Sequence, residues 1–325
     1  MKKEDNKIKK IVFLRMEHIG DYGQGLVALK ALKEHFPNAR IDLVVGPWNK
    51  DFAEATPYKN NIIIFENTLI KRHLKYWEIL KIIFCETRKY IKFFKKINHE
   101  NYDLLFSISD RNYNRIFLKF LKAKKKISGL SYPNPGINEN LRIQKFLEKN
   151  QLGIKSYNIN LNYSKKDKEI VENILKKIKG KKIIINPITD LPEKNWPLDK
   201  WIVLIKWILS KSKRNNVLIM GAEYQKEQIE NLIKSCNAKG RIYNMAGKLS
   251  VTQSIYIIDK CDLIIGNDSG PVHLAELVNT PAIALFGPTD AIRWGIQEKN
   301  GITIKKEKIN YIPIEEVQKA VEKYL

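Results

Sequence analysis

A chain of 325 residues with 44% hydrophobic content is long enough for two domains with separate cores, and this composition excludes an intrinsically disordered protein. Its 58 Lys and Arg against 35 Asp and Glu give a net charge of +23 at pH 7. Such a charge indicates an anionic partner: nucleic acid, an anionic membrane surface or a phosphorylated substrate. A Lys- and Ile-rich genome is the alternative explanation, because the lysines are spread through the whole chain.

Cysteine usage and the N-terminus both predict a cytoplasmic protein. Cys85, Cys236 and Cys261 show no paired spacing, which disfavours a disulfide framework and a zinc site and fits a reducing compartment. Residues 1–10 are charged and lack the apolar core of a signal peptide. No apolar run reaches about 18 residues, so no transmembrane helix is expected.

The first half of the chain is typical of an α/β series. An apolar strand at residues 10–14 leads into a turn at 15–21, and the helix that follows ends before Pro37. A second strand at 41–45 completes a strand–helix–strand unit, which implies parallel strands and a right-handed crossover. Further strands are predicted at residues 61–65, 104–108 and 126–129.

Residues 71–96 form the most basic and aromatic part of the chain. They contain nine Lys and Arg against Glu78 and Glu86, with Tyr, Trp and Phe side chains interleaved. A helix of this composition can rest on an anionic membrane face or hold a phosphorylated acceptor. It can equally be a core-packing helix with a solvated face of lysines.

A second α/β series follows a loop-rich region at residues 131–152, so the domain boundary is expected between residues 157 and 158. Strands are predicted at 182–185, 216–220, 263–265 and 282–286. Helices are predicted at 167–179, 199–211, 224–236, 250–259 and 314–325. Each half is therefore expected to be a doubly wound parallel sheet, with the functional site in a cleft between the halves.

Polar and helix-starting residues separate two buried strands within residues 261–289. Residues 267–270 (Asn-Asp-Ser-Gly) make turns or cap helices, and Pro271 suits the first helical position. Asn279 can end this helix in a left-handed conformation. The helix N-terminus is thus predicted to lie at the carboxyl ends of parallel strands, where its N–H groups and dipole favour an anion.

Five charged or titratable side chains are candidates for chemistry. Asp21, between the first strand and its helix, can cap the helix or act as a general base in the cleft. Lys194, in Lys-Asn-Trp-Pro, can meet a phosphate. Glu223 can accept both hydroxyls of a ribose or simply favour a helix start. Asp268 can accept hydrogen bonds from sugar hydroxyls, and His273 lies on the first turn of the helix after it.

Several common motifs are missing from the sequence. There is no Gly-x-Gly-x-x-Gly and no P-loop, so dinucleotide and P-loop nucleotide binding lose their main support. No His-Glu-x-x-His, Asp-x-Asp or Cys-x-x-Cys is present, so no bound metal is expected. Nucleic-acid binding is suggested by charge alone, without a helix-turn-helix, zinc-finger or RNP motif.

Taken together, the motifs resemble the bacterial heptosyltransferases of glycosyltransferase family 9. The resemblance spans almost the whole chain, and its stretches are residues 15–21, 194–197, 221–223, 247–250 and, most specifically, 267–274 with 281–289. It implies the GT-B fold, two Rossmann-like doubly wound domains that face each other across a cleft. The resemblance implies three parts of this chain: an acceptor-binding domain at 1–157, a nucleotide-sugar-binding domain at 158–312, and a C-terminal helix at 313–325 that packs back on the first domain.

Members of this family transfer heptose from ADP-heptose to the inner core of lipopolysaccharide, with inversion and without a metal. The resemblance thus implies an inverting glycosyltransferase with a nucleotide-sugar donor, no cofactor, and a phosphorylated lipid-linked oligosaccharide as acceptor. The enzyme would be cytoplasmic, with peripheral contact to the inner membrane and no nucleic-acid partner. Carried over by position, Asp21 would be the catalytic base. The donor would be bound by Thr189, Lys194, Glu223, Asp268, Ser269, Gly270 and His273.

The chain departs from the family pattern at two places. Residues 187–189 (Pro-Ile-Thr) replace Pro-Gly-Ala or Pro-Gly-Ser, and Glu17-His18 replace small Ser residues before Gly-Asp, with Tyr22 following. His18 and Tyr22 are therefore candidate contacts on the acceptor side. Two alternatives stay open: another GT-B enzyme with a different nucleotide sugar, either a transferase or an epimerase, and a basic nucleic-acid-binding protein.

Overall fold

The computed structural model describes residues 7–70, 76–109, 111–129, 136–153, 159–238 and 240–325. The chain divides into two compact units, which we call the first unit (residues 1–135 and 140–162) and the second unit (residues 136–139 and 163–325). The main division thus falls a few residues beyond the expected boundary. Asn162 still belongs to the first unit, because its backbone N–H donates to the carbonyl of Ala55 at 2.8 Å.

Five parallel strands form the sheet of the first unit. They are β1 (Lys10–Arg15), β2 (Arg40–Val45), β3 (Asn61–Ile64), β4 (Leu104–Ser107) and β5 (Lys125–Ser128), and their order is β3-β2-β1-β4-β5. The helices of this part of the chain are α1 (Ile19–His35), α2 (Lys50–Ala55), α3 (Tyr76–His99), α4 (Asn112–Phe120) and α5 (Glu139–Lys149). The strand order reverses between β1 and β4, which makes this the switch point of the first sheet.

Six parallel strands form the sheet of the second unit. They are β6 (Lys181–Asn186), β7 (Asn215–Ile219), β8 (Ile242–Asn244), β9 (Leu263–Asn267), β10 (Ala282–Phe286) and β11 (Gly301–Lys305), in the order β11-β10-β9-β6-β7-β8. The helices are α6 (Lys165–Leu175), α7 (Leu198–Lys211), α8 (Lys226–Cys236), α9 (Val251–Asp259), α10 (Gly270–Leu277), α11 (Ala291–Trp294) and α12 (Ile314–Glu322). The order is that of a Rossmann sheet, with its switch point between β6 and β9.

The predicted doubly wound α/β architecture is confirmed in both units. Central strands are continuous apolar runs because both of their faces are covered; Ile183, Ile184 and Ile185 of β6 are each 0% exposed. The two edge strands of the second sheet, β8 and β11, were not predicted from the sequence. Their burial is only partial, so they lack the apolar run that identified the other strands.

The last helix, α12, belongs to the core of the second unit. Its apolar stripe of Val317, Ala320 and Val321 is buried in the cluster that also contains Trp196 and Trp201. The stripe has period i, i+3, i+4, so its three side chains lie on one face of α12 and are buried together in the second-unit core. The packing of residues 313–325 back on the first domain stays a prediction.

The basic and aromatic segment at residues 71–96 is only partly described. Residues 71–75, and the side chains of Tyr76 and of 78–85, lie outside the described part of the chain. In the described remainder of α3, Tyr90 and Phe93 are buried in the core, whereas the basic side chains Arg88, Lys92, Lys95 and Lys96 are exposed. Of the helices described, none is long and apolar enough to cross a membrane.

Candidate active site

The carboxyl edge of the second sheet collects most of the predicted donor residues. Lys194 follows β6, Glu223 follows β7, and Asp268 follows β9. All strands of this sheet are parallel, so their carboxyl ends share one edge. The loops after β6 and β9 are direct neighbours there, because these two strands pair with each other at the switch point.

Asp268 lies at the centre of a charged cluster on this edge. Lys194 Nζ donates to Asp268 Oδ2 at 2.5 Å, and His273 Nε2 lies 3.1 Å from Asp268 Oδ1. The side chains of Asp268, His273 and Lys194 are only 7%, 10% and 13% exposed. Burial alone would raise the pKa of the Asp268 carboxyl, but hydrogen bonds and charges from His273 and Lys194 outweigh it and hold that pKa well below its usual range. Asp268 is therefore ionised at neutral pH.

His273 has one ring nitrogen in use and one without a partner. A carboxylate only accepts hydrogen bonds, so Nε2 carries a proton and donates to Asp268. The Nδ1 atom is buried and has no hydrogen-bond partner among the described residues. A buried polar atom of this kind is costly unless something bonds to it. Nδ1 is thus a candidate contact for a hydroxyl or a proton of a ligand.

The N-terminus of α10 has free space and N–H groups that suit an anion. Ser269 is the N-cap residue, but its hydroxyl donates to Asn186 Oδ1 at 2.8 Å and makes no side-chain cap bond to the helix. Apart from its chain neighbours and the backbone of its own helix, no described atom lies within 4 Å of the place where a Cβ of Gly270 would be. Open space next to helix N–H groups and the positive end of the dipole favours a phosphate.

Asn267 fixes the loop that carries Lys194, a structural role that was not predicted from the sequence. Asn267 is 0% exposed at the end of β9. Its Nδ2 donates to the carbonyl of Pro187 at 2.7 Å, and its Oδ1 accepts from the backbone N–H of Trp196 at 3.1 Å. A buried amide at a strand end, flanked by the motif residues, is the signal that could have identified it.

Thr189 and Ile188, at the departure from the family pattern, shape this same loop. Ile188 is 8% exposed and packs in the second-unit core, so the bulky side chain points away from the edge. Thr189 N donates to Asn195 Oδ1 at 2.7 Å, and its hydroxyl donates to the carbonyl of Leu191 at 3.0 Å. Thr189 thus organises the loop through its own hydrogen bonds.

Glu223 is exposed and lies against Gly247, which follows β8. Its side chain is 70% exposed, with Lys226 Nζ at 3.7 Å from Oε1. Gly247 has φ +69°, and a Cβ there would lie 1.5 Å from Glu223 Oε2. Only glycine fits this position, for both conformational and steric reasons. The loop after β8 is therefore shaped around the Glu223 carboxylate.

Asp21 lies in the first turn of α1, beyond the carboxyl end of β1. It does not cap the helix: the N-cap residue is His18, which makes no side-chain cap bond. The Asp21 carboxylate instead pairs with Arg111, whose Nη2 lies 3.3 Å from Oδ2. The Asp21 side chain is 18% exposed, which leaves it accessible at the switch point of the first sheet.

His18 and Tyr22, the two predicted acceptor contacts, differ in their exposure. The His18 ring is exposed and stacks on Trp48, with centroids 5.9 Å apart. Tyr22 is 0% exposed; its hydroxyl lies 3.0 Å from Thr56 Oγ1, and its ring packs edge-on against Phe52. Burial raises the pKa of the Tyr22 phenol above its usual range. Tyr22 is a core residue with no surface to offer an acceptor.

Metal-ligand side chains are not clustered in the described part of the chain. Within it, no group of three or more His, Cys, Asp or Glu side chains is placed to hold a metal ion. The polar side chains of the site are instead a lysine, a histidine and single carboxylates.

Comparison with known proteins identifies the family. The sequence profile of glycosyltransferase family 9 (heptosyltransferase) matches residues 90–325. The chain belongs to glycosyltransferase family 9. The predicted family is thus confirmed, and this family 9 enzyme is a glycosyltransferase.

Curated relatives of this family 9 glycosyltransferase are similar over most of their length. It is 24% identical to lipopolysaccharide heptosyltransferase 3 of Escherichia coli, over 95% of this chain and 96% of the relative. It is 29% identical to lipooligosaccharide heptosyltransferase 2 of Campylobacter jejuni, over 83% and 79% of the two chains.

Solved structures share its fold. A glycosyltransferase of family 9 from Veillonella parvula superposes with a TM-score of 0.81 at 16% identity and covers 97% of both chains. The ADP-heptose lipopolysaccharide heptosyltransferase II of E. coli gives 0.76 at 17% identity, over 97% of this chain and 98% of its own. The predicted GT-B fold is confirmed.

Proposed function

We propose that this family 9 glycosyltransferase transfers a heptose, or a related sugar, from ADP-heptose to the lipopolysaccharide core or a related surface glycan. Its curated relatives are named for heptose transfer to lipopolysaccharide or lipooligosaccharide. An E. coli heptosyltransferase of the same fold, 15% identical, was solved with ADP and with ADP-2-deoxy-2-fluoro heptose. These names support the donor and acceptor classes.

The observation that carries the proposal is the bonding of Asp268 to both Lys194 and His273 directly before the N-terminus of α10. The donor diphosphate would lie at this helix N-terminus, next to Ser269 and Gly270, with Lys194 as its cationic partner. Sugar hydroxyls would donate to Asp268 or bond to His273. Ribose hydroxyls would donate to the exposed carboxylate of Glu223.

The proposed reaction inverts the anomeric centre. An acceptor hydroxyl oxygen forms a bond to the anomeric carbon, its proton passes to the Asp21 carboxylate, and the bond from that carbon to the diphosphate breaks. Negative charge develops on the departing diphosphate. Lys194 and the α10 N-terminus would stabilise this charge, so the proposal includes no metal and no cofactor.

The acceptor is proposed to be a phosphorylated lipid-linked oligosaccharide at the cytoplasmic face of the inner membrane, and no nucleic acid takes part. We infer a membrane-contacting surface, the α3–α4 face, formed by the exposed sides of the C-terminal part of α3 and of α4. The two helices are neighbours: the Phe94 and Phe120 rings stack with centroids 5.5 Å apart, and Asn98 Nδ2 donates to the Phe120 carbonyl at 3.0 Å.

Charge and exposed apolar side chains both support this surface. Residues 87–99 and 111–129 contain no Asp or Glu. Three apolar side chains stand exposed there, Ile91 at 47%, Ile116 at 38% and Phe120 at 52%. The exposed basic side chains around them are Arg88, Lys92, Lys95, Lys96, Arg115, Lys119 and Lys122. Apolar groups between cations match the interfacial zone of an anionic bilayer, whereas nucleic acid gains little from them.

A ligand screen tests which nucleotide the donor carries. In calorimetric titrations with ADP, UDP, GDP and CMP, we expect ADP to bind most tightly. A preference for UDP would instead support a GT-B enzyme that uses another nucleotide sugar.

For the base, Asp21→Asn is assayed with ADP-heptose and lipopolysaccharide that lacks the terminal heptose. We expect turnover to fall by about 10²–10⁴-fold while ADP affinity stays unchanged. Unchanged turnover would reject Asp21 as the base.

A further inference from the structure

Arg15 reaches from the end of β1 to the backbone of Asp21. Its Nε donates to the Asp21 carbonyl oxygen at 2.9 Å, and its Nη2 donates to the same oxygen. Arg15 is only 4% exposed. A buried guanidinium with two N–H groups on one carbonyl is held in a single orientation. The first turn of α1, which carries the Asp21 carboxylate, is thereby anchored to the sheet.

Glu17 supplies the opposite charge to Arg15. Its carboxylate Oε1 lies 3.7 Å from Arg15 Nη1, and its side chain is 2% exposed. Burial, the charge of Glu17 and a hydrogen bond to Glu17 raise the pKa of the Tyr113 phenol, so this phenol is a second neighbour of the Glu17 carboxylate. A buried cation needs such a counter-charge, so Glu17 supports the position of Arg15.

Gly25 supplies the space for Arg15. A Cβ at Gly25 would lie 2.5 Å from Arg15 Nε and 3.1 Å from its Cδ. A glycine inside a helix costs about 1 kcal/mol relative to alanine. Gly25 is not among the described glycines with positive φ, so backbone conformation does not require glycine at this position. Glycine is required there because the Arg15 side chain occupies the space that a Cβ would need.

We propose that Arg15 is a positioning residue for Asp21, with Glu17 and Gly25 as the parts that hold it. This inference rests on the proposed function, in which Asp21 is the base. The bonds from Arg15 to the Asp21 carbonyl fix the helical turn from which the carboxylate extends, and the Arg111 contact holds the carboxylate itself. A base displaced by about 1 Å can lose about 10²-fold in rate.

Two single variants and their combination test the proposal, with ADP-heptose and heptose-deficient lipopolysaccharide as substrates. Arg15→Lys keeps the charge but cannot make both bonds to the carbonyl, and Gly25→Ala pushes the guanidinium away. We expect each to lower kcat by about 10–100-fold without changing ADP affinity. Because both act through one side chain, the double variant is expected to be no slower than Arg15→Lys alone.

Arg40→Lys is the matched control, an arginine at the opposite edge of the same sheet with Nη2 2.6 Å from Asp42 Oδ2. It is expected to lower the melting temperature and leave kcat unchanged. Wild-type kcat in Arg15→Lys, or multiplicative losses in the double variant, would overturn the positioning role. If Arg15→Lys does not fold, wild-type kcat in Gly25→Ala overturns it by itself.

Different results would reject the proposed function and the positioning role of Arg15. Full turnover in Asp21→Asn would reject the base. Loss of turnover in Asp21→Asn together with normal kcat in Arg15→Lys and Gly25→Ala would reject only the positioning role of Arg15.

Discussion

Lys194 Nζ and Asp268 Oδ2 lie 2.5 Å apart, although 74 residues separate them in the chain. The pairing of β6 with β9, in which Asn186 is opposite Gly266, makes the loops after these strands neighbours. Asn267 then ties the two loops together through Pro187 and Trp196. Opposite charges therefore meet at the switch point of the second sheet, beside the N-terminus of α10.

Lys194→Met is predicted to weaken ADP binding by about 10–100-fold, because a charge-assisted hydrogen bond contributes about 1.5–3 kcal/mol. Isothermal titration with ADP measures this. Lys200→Met is the control, since Lys200 lies on α7 and donates to backbone carbonyls of Asn310 and Ile312. Equal ADP affinity in both variants would contradict the role of Lys194 at the diphosphate.

The low pKa of Asp268 predicts that the free energy of unfolding falls in acid. Its pKa is lower in the folded protein than in the unfolded chain, so its contribution is complete above about pH 4 and is lost as the pH falls further. At neutral pH, Asp268→Asn should cost about 3 kcal/mol, because Lys194 loses a buried partner. Urea unfolding from about pH 7 to about pH 3 should show this difference shrinking; a constant difference would contradict the low pKa.

Gly247→Ala is predicted to act on nucleotide binding through Glu223. The added Cβ collides with the Glu223 carboxylate and is strained at φ +69°, at a cost of about 1–2 kcal/mol. We expect ADP affinity to fall about as far as in Glu223→Ala, with no further loss in the double variant. Gly240→Ala is the control, with φ +81° but no described atom near its Cβ. Additive losses in the double variant would show that the two residues act separately.

The α3–α4 face is predicted to bind anionic vesicles in a salt-dependent way. Vesicles with 30% phosphatidylglycerol should retain the protein at low salt and release it at high salt, and neutral phosphatidylcholine vesicles should not retain it. Replacing Lys92, Lys95 and Lys119 with Glu should abolish retention, and Phe120→Ser should weaken it.

The matched control for this surface replaces Lys165, Lys166 and Lys168 of α6, three exposed lysines of the second unit, with Glu. Equal loss in the control would mean that net charge alone drives the binding. Tighter binding to an oligonucleotide than to the vesicles would favour the nucleic-acid alternative.

The carboxyl edge of the second sheet could be predicted from sequence because its motifs are local. Strand, turn and helix signals around residues 263–279 placed Asp268, Ser269 and His273 correctly, and Asn279 does adopt a left-handed φ of +59°. The partner of Asp268 could not be read from such signals, because Lys194 reaches it only through the pairing of β6 with β9.

The pattern of residues does not specify which core buries a side chain, as Tyr22 and α12 show. A tyrosine next to Asp21 suggests a surface contact, but the helical rotation between neighbours turns Tyr22 into the core beside Phe52. The apolar stripe of α12 is plain in the sequence, yet a stripe does not specify which core buries it.

Hydrophobic period and short motifs were enough to predict the parallel α/β architecture, the family and the residue types at the carboxyl edge of the second sheet. The bonds of Arg15 to the Asp21 backbone, the positions of Glu17 and Gly25 against the Arg15 side chain, and the bonds from Asn267 to the Lys194 loop could not be predicted in this way. The reason is physical: burial, ion pairing and steric space are relations between segments, and they exist only once the strands have been paired.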